Sequence, residues 1–173
     1  AKAAAWETPM RLNDTTRTYF EKLASASPPE KAARYNALLN PRTAAAAQRY
    51  LAEYEPGHYS MLRTSVVPTM LKAGILNNVI PSEAEAIVDI RTLPDEDIAK
   101  FYAEMKRVLN DPAVRIEPTG FSARPAAPPS RLDSEMYRVL EQVSKRMHPG
   151  VTVLPTMANG ASDMAFLRAK GIQ

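Results

Sequence analysis

Residues 77–91 read NNVIPSEAEAIVDIR, and this stretch organises the rest of the chain. From Glu83 onward it alternates. Ala84, Ala86, Val88 and Ile90 fall on one side and Glu83, Glu85, Ile87, Asp89 and Arg91 on the other. That two-residue period is the mark of a half-buried β-strand. Ahead of the strand, Asn77, Asn78 and Pro81 are turn chemistry: asparagine tolerates unusual backbone angles, and proline fixes φ and cannot donate to a ladder. On pattern alone, Asn78 turns the chain and Arg91 is a solvated charge at a strand end.

Working outward, residues 61–74 (MLRTSVVPTMLKAG) are rich in β-branched and apolar side chains, and Pro68 places them at an edge or a bulge. Residues 94–110 (PDEDIAKFYAEMKRVLN) predict an amphipathic helix with Pro94 and acidic residues in its first turn. Its apolar side would be Ile98, Phe101, Tyr102, Met105, Val108 and Leu109. A short strand is expected at 113–118 (AVRIEP), which makes the order β-β-α-β, most of a split β-α-β unit.

Before this unit, residues 13–55 read as three helices. Asn13 or Asp14 caps the first, and prolines open the stretches 28–39 and 41–54. After it, 122–130 (SARPAAPPS) is linker-like because its prolines forbid regular structure. A helix is then expected from Ser130 to His148 with Leu132, Met136, Val139, Leu140 and Val143 inward. A buried strand should follow at 150–156 (GVTVLPT), then a helix from Ser162 to Lys170. That order suggests a piece of an α/β layered sheet, so the fold class is α/β.

The totals exclude several classes. A net charge of +3 without a basic cluster interleaved with aromatics argues against nucleic-acid binding. The absence of cysteine rules out a disulfide framework and a thiolate metal site. Nothing approaches the length of an apolar membrane span, so no membrane partner is expected, and nothing sets the compartment. Both ends look cut: AKAAAW starts without an N-cap, and AFLRAKGIQ stops just past a glycine.

Candidate chemistry is sparse. His148 sits beside Pro149 near a helix end, where a dipole or surface role is expected. His58, in EPGHYS, is read as a loop histidine because no acidic group nearby in sequence is seen to orient it and no G-x-S-x-G elbow exists. Gly160 and Ala161, in ANGASDMAF, are small residues between a strand and a helix whose backbone amides could face an anion or a carbonyl. Ser162 and Asp163 could equally do no more than cap that helix.

Two of these stretches together resemble a known family. Asn78-Val79-Ile80-Pro81, followed thirteen residues after the asparagine by the arginine of Asp89-Ile90-Arg91, is similar to the lid of the two-metal carboxypeptidases, aminoacylases and deacylases. That family includes acetylornithine deacetylase, succinyl-diaminopimelate desuccinylase and glutamate carboxypeptidase. Gly160-Ala161-Ser162-Asp163, then Gly171-Ile172, resembles its glycine loop and following helix, with Gln173 where the family has proline.

The resemblance runs from about Met61 to the end and leaves 13–59 as a helical insertion. It implies a ferredoxin-like α+β lid at 1–120, a linker at 121–130 and part of an αβα catalytic layer at 131–173. It implies a parent enzyme that hydrolyses a peptide or amide bond next to a free carboxylate, using two zinc (or cobalt) ions. Substrate-binding roles would fall on Arg91, which would pair with the carboxylate, on Asn78, and on Gly160 and Ala161. The family's metal ligands, Glu base and lid histidine match no residue here, so this chain is expected to hold no catalytic residue and no metal, and His58 is not equated with the lid histidine. The chain would be an internal fragment that binds or dimerises through the lid without catalysing. The alternative is a non-enzymatic ferredoxin-like dimerisation or amino-acid-binding module.

Overall fold

The Asn13 side chain accepts from Thr16 N at 2.9 Å while Thr16 Oγ1 accepts from Asn13 N at 3.0 Å. This reciprocal cap satisfies two otherwise orphaned amides and starts helix α1 (Asp14–Ser25). The computed structural model describes residues 1–94, 96–119, 127–158, 160 and 162–172. Three more helices follow: α2 (Pro29–Leu39), α3 (Ala44–Tyr54) and the short α4 (Pro56–Ser60). Pro29 occupies the first turn of α2, as expected, whereas α3 begins only at Ala44 and leaves Pro41 in the preceding turn.

Phe20, Ala24, Tyr35, Leu38, Ala47, Leu51 and Leu62 form one buried cluster at the centre of these helices. Phe20, Leu51 and Leu62 are fully out of solvent. The helical segment thus carries its own core.

Strands β1 (Ser65–Ala73) and β2 (Ala84–Arg91) pair antiparallel, from Ser65 opposite Arg91 to Ala73 opposite Ala84. The register slips between Pro68 and Met70, a bulge at the residue that lacks an N–H. Gly74 leaves β1 with φ at 72°, in the left-handed region that glycine enters without steric cost. Val88 and Ile90 pack on the cluster of Val66, Phe101 and Met105, so of the two sides of β2 theirs is the covered one at this end. Toward the turn the sheet is uncovered: Leu71 is 83% exposed and Ile80 94%.

Helix α5 (Ile98–Leu109) covers the buried end of the hairpin, and Trp6 stacks on its Phe101 with centroids 5.2 Å apart. Its start corrects the sequence reading. The Asp97 side chain accepts from Lys100 N at 3.1 Å and caps the helix there, so Pro94 lies ahead of it rather than in its first turn. Asn110, at φ 45°, ends it.

Three further expectations fail. Residues 113–118 form no strand, so the order among the described residues is β-β-α and the sheet has two strands. The expected strand at 150–156 is extended chain without ladder pairing, although Pro155 and Met157 are buried. Helix α6 (Glu135–Met147) begins at its Ser134 cap, not at Ser130, and has no buried residue. Met136, Val139 and Leu140, expected inward, are 60%, 45% and 55% exposed. A period of 3.6 identifies an apolar stripe but not what covers it. The last helix, α7, is Met164–Ala169. Part of the linker-like stretch, residues 121–126, lies outside the described residues.

Candidate functional site

The hairpin separates the two lid residues picked out from the sequence. Asn78 lies in the turn region between β1 and β2, exposed, while Arg91 closes β2 opposite Ser65. An eight-residue strand lies between them. At about 3.4 Å per residue they stand on the order of 25 Å apart. Arg91 donates from Nε to Asp89 Oδ2 at 3.1 Å, with both side chains largely solvated. This pair is open at the surface, where a ligand carboxylate could replace Asp89 at little cost.

Gly160 is nearer to Arg91 than the sequence distance suggests. Met157 packs with Met61 and Leu93 in a small buried cluster, with Tyr19 against it. Leu93 is two residues beyond Arg91 and Met157 three before Gly160. Gly160 itself is an exposed bend ahead of α7. Ala161 lies outside the described residues. Ser162 Oγ accepts from Met164 N at 3.2 Å in a local turn, while the N-cap position of α7 is Asp163, without a side-chain capping bond.

The end of the hairpin that bears Arg91 is held by polar groups. Thr64 Oγ1 donates to Glu96 Oε2 and accepts from Leu93 N at 3.1 Å, and Thr8 Oγ1 donates to Thr64 O at 2.5 Å. Glu96 also takes Arg11 Nη2 at 3.0 Å. Lys22, on α1, donates to Tyr137 Oη at 3.3 Å, Glu141 Oε1 at 3.0 Å and Val153 O at 3.2 Å. It therefore fastens α6 and the extended 151–157 segment to the helical segment, with three acceptors for its three protons.

His58 requires a correction. It is in helix α4, not in a loop, and it has an acidic partner three residues back. Nδ1 lies 2.6 Å from Glu55 Oε2 and Nε2 2.8 Å from Tyr19 Oη. A carboxylate only accepts, so Nδ1 carries the proton, and in the neutral ring Nε2 accepts from the Tyr19 hydroxyl. The Tyr35 hydroxyl donates to the same Glu55 oxygen at 3.0 Å. Phe20 and Tyr35 meet the imidazole edge-on at 5.6 and 5.7 Å.

Burial raises the Tyr35 phenol, and its bond to Glu55 adds to this, to about 12. Burial also raises Tyr19, with the Glu55 charge adding to it. Glu55 is pushed up by burial, but the bonds from His58 and Tyr35 outweigh it and hold the carboxyl below its ordinary value. The sequence signal was an acid and a histidine three apart. It was missed because Pro56 and Gly57 between them read as a loop.

Among the described residues, no three His, Asp or Glu converge so as to hold a metal ion. The described residues do not fit a resident metal. No helix among them is long and apolar enough to cross a membrane.

The peptidase dimerisation domain family model matches residues 19–117, a span that includes the helices as well as the hairpin and α5. The chain is 31% identical over 104 residues to the probable carboxypeptidase S-like 2 of Dictyostelium discoideum, covering 60% of this chain and 20% of that protein. It is 27% identical over 114 residues to the N-fatty-acyl-amino acid synthase/hydrolase PM20D1 of Xenopus tropicalis, covering 65% and 22%. Against the human protein of the same name the identity is 28% over 117 residues, covering 66% and 23%. The matched region spans about a fifth of the length of these curated relatives. No solved structure gives a significant match. With the matched span covering most of the chain, from Tyr19 through the hairpin and α5 to Glu117, this chain belongs to the peptidase dimerisation domain family.

Proposed function

We propose that the chain is the lid and dimerisation part of a carboxypeptidase or N-acyl-amino-acid amidohydrolase that cleaves a peptide or amide bond next to a free carboxylate. Residues 1–120 would be the lid, 121–130 the linker and 131–173 a part of the catalytic domain. The reading is supported most by one observation: the family match spans the hairpin that carries both Asn78 and Arg91. Relatives named for carboxypeptidase and N-fatty-acyl-amino acid hydrolase activity agree with it. In this reading Arg91 exchanges Asp89 for the substrate carboxylate as a planar bidentate donor. Asn78, on the order of 25 Å along the hairpin from Arg91, would give its neutral hydrogen bond at a second binding position rather than to the same small molecule, and Gly160, with Ala161, would supply backbone contacts from the other side. Zinc or cobalt, if the whole enzyme uses them, would be bound by residues other than those described here.

The homodimer is part of the same proposal. Exposed Met70, Leu71, Ile75 and Ile80 make the turn half of the hairpin a surface for a second copy.

The test is the complete protein that contains these residues, assayed on N-acyl amino acids and dipeptides with and without chelator. Arg91→Ala should raise KM at least tenfold, with a smaller effect on kcat. An unchanged KM removes Arg91 from binding, and absence of hydrolysis in the complete protein leaves the non-enzymatic binding module in its place.

A further inference from the structure

Strand β2 ends at Arg91, and a side chain ties the chain again just past it. Leu93 N donates to Thr64 Oγ1 at 3.1 Å, and Thr64 directly precedes Ser65, the residue opposite Arg91. Arg91 is therefore bracketed by the ladder on one side and this bond on the other. Thr64 is 2% exposed, and its hydroxyl proton goes to Glu96 Oε2. Arg11 Nη2 donates to the same Glu96 oxygen at 3.0 Å, while Arg11 N donates to Leu62 O at 2.8 Å. Thr8 Oγ1 donates to Thr64 O at 2.5 Å. The N-terminal segment thus holds both the backbone at 62–64 and the carboxylate that fixes the Thr64 hydroxyl. Apolar side chains of the same shape would fill this corner about as stably, since a buried hydrogen bond gains little net free energy. Directional bonds add a fixed geometry instead.

We propose that Thr64 is a positioning residue for Arg91: through Leu93 N and Glu96 it fixes the backbone from which the guanidinium meets the substrate carboxylate. This role rests on the reading of Arg91 as the carboxylate donor. Thr64 is too buried to touch a substrate itself. The Arg91 side chain is 55% exposed and tied to Asp89 beside it on the same strand, so its aim is set by the backbone beneath it. A bidentate pair needs its two N–H donors coplanar with the carboxylate, and a small displacement of the base costs it more than it costs an apolar contact. Loss of the Thr64 hydroxyl should accordingly fall on recognition of the free carboxylate.

The experiment compares, in the complete protein, hydrolysis of an N-acyl amino acid with that of the primary amide of the same compound. The readout is the ratio of kcat/KM for the acid to that for the amide, which partial unfolding does not move because it acts on both alike. Thr64→Val keeps the shape and removes the hydroxyl, and should lower the ratio roughly tenfold, mainly through KM for the acid. Thr64→Ser restores the hydroxyl and should keep the ratio of the unmodified protein. Arg91→Ala should lower the ratio at least as far as Thr64→Val, and combining the two should lower it no further. If Thr64→Val does not fold, Glu96→Gln takes its place: it keeps the size, weakens the acceptor and should lower the ratio roughly threefold. An unchanged ratio in whichever of these two variants is read, a ratio in Thr64→Ser as low as in Thr64→Val, or a further drop in the double variant overturns the proposal. A ratio lowered by Arg91→Ala alone removes Thr64 and leaves the lid reading standing, whereas a ratio that Arg91→Ala does not lower ends both.

Discussion

His58 Nδ1 lies 2.6 Å from Glu55 Oε2, and this bond closes a chain that runs from the Tyr19 hydroxyl through the imidazole and the carboxylate to the Tyr35 hydroxyl. It links α1, α2 and α4 around one half-buried ring. Its acid limit follows from Glu55. The carboxyl is held below its ordinary value, so its contribution to stability is full above the unfolded value, about 4.3, and is lost as pH falls through the lower folded one. Urea midpoints should therefore drop between about pH 5 and 3, and Glu55→Gln should flatten that drop. An undiminished drop in Glu55→Gln would assign it to other carboxylates.

Tyr35 sets the alkaline limit. Its phenol is raised to about 12, first by burial and then by its bond to Glu55. The sign is opposite to that of Glu55: the stability is fully present below about pH 10 and is lost as pH rises toward the folded value. Phenolate absorbance should show a latest-titrating tyrosine that disappears in Tyr35→Phe, while the raised titration of Tyr19 remains. That substitution leaves the Glu55 oxygen one donor short and should cost about 1–2 kcal/mol in urea unfolding.

Lys22 is the clamp between α1 and the C-terminal segment. Lys22→Met keeps the aliphatic stem but leaves Tyr137, Glu141 and the Val153 carbonyl without their shared donor. The expected loss is about 1 kcal/mol, modest because the lysine and Glu141 keep about a third and a quarter of their side-chain exposure. Amide exchange should accelerate in α6 and around Val153, with the α1–α3 core unchanged. Uniform acceleration would place Lys22 in the global core instead.

The helical segment depends on Phe20 and Leu51, both 0% exposed. Leu51→Ala should destabilise the chain by roughly 2–5 kcal/mol, since the lost burial adds to a cavity that the surrounding helices fill only in part. The measurement is a denaturant midpoint, with the slope compared to the unmodified chain.

If the uncovered half of the hairpin meets a second copy, a charge placed there must be desolvated in the contact. Leu71→Lys should then lower the dimer fraction at least tenfold in sedimentation equilibrium while the far-ultraviolet spectrum stays the same. Retained association would move the contact to the α6 face.

Much of this was legible locally. The Asn13 cap, the Pro68 irregularity, the alternation that puts Val88 and Ile90 on one side and the apolar positions of α5 are dictated by residues within a few positions of one another. Steric limits, capping bonds and side-chain period act at that range. The family motif around Asn78 and Arg91 was legible for the same reason, as a fixed spacing in one strand and its turn.

Tertiary structure decided the rest. Whether 113–118 and 150–156 become strands depends on a neighbour offering a free ladder edge, and none pairs with them among the described residues. The α6 stripe was visible as a pattern, but its exposure is a fact about what surrounds it. The three groups that now carry the most chemistry, Lys22, Glu96 and the Glu55–His58 pair, have partners up to 131 positions away in the chain. Their charges report nothing in a sequence until folding sets which of them is buried and what stands opposite.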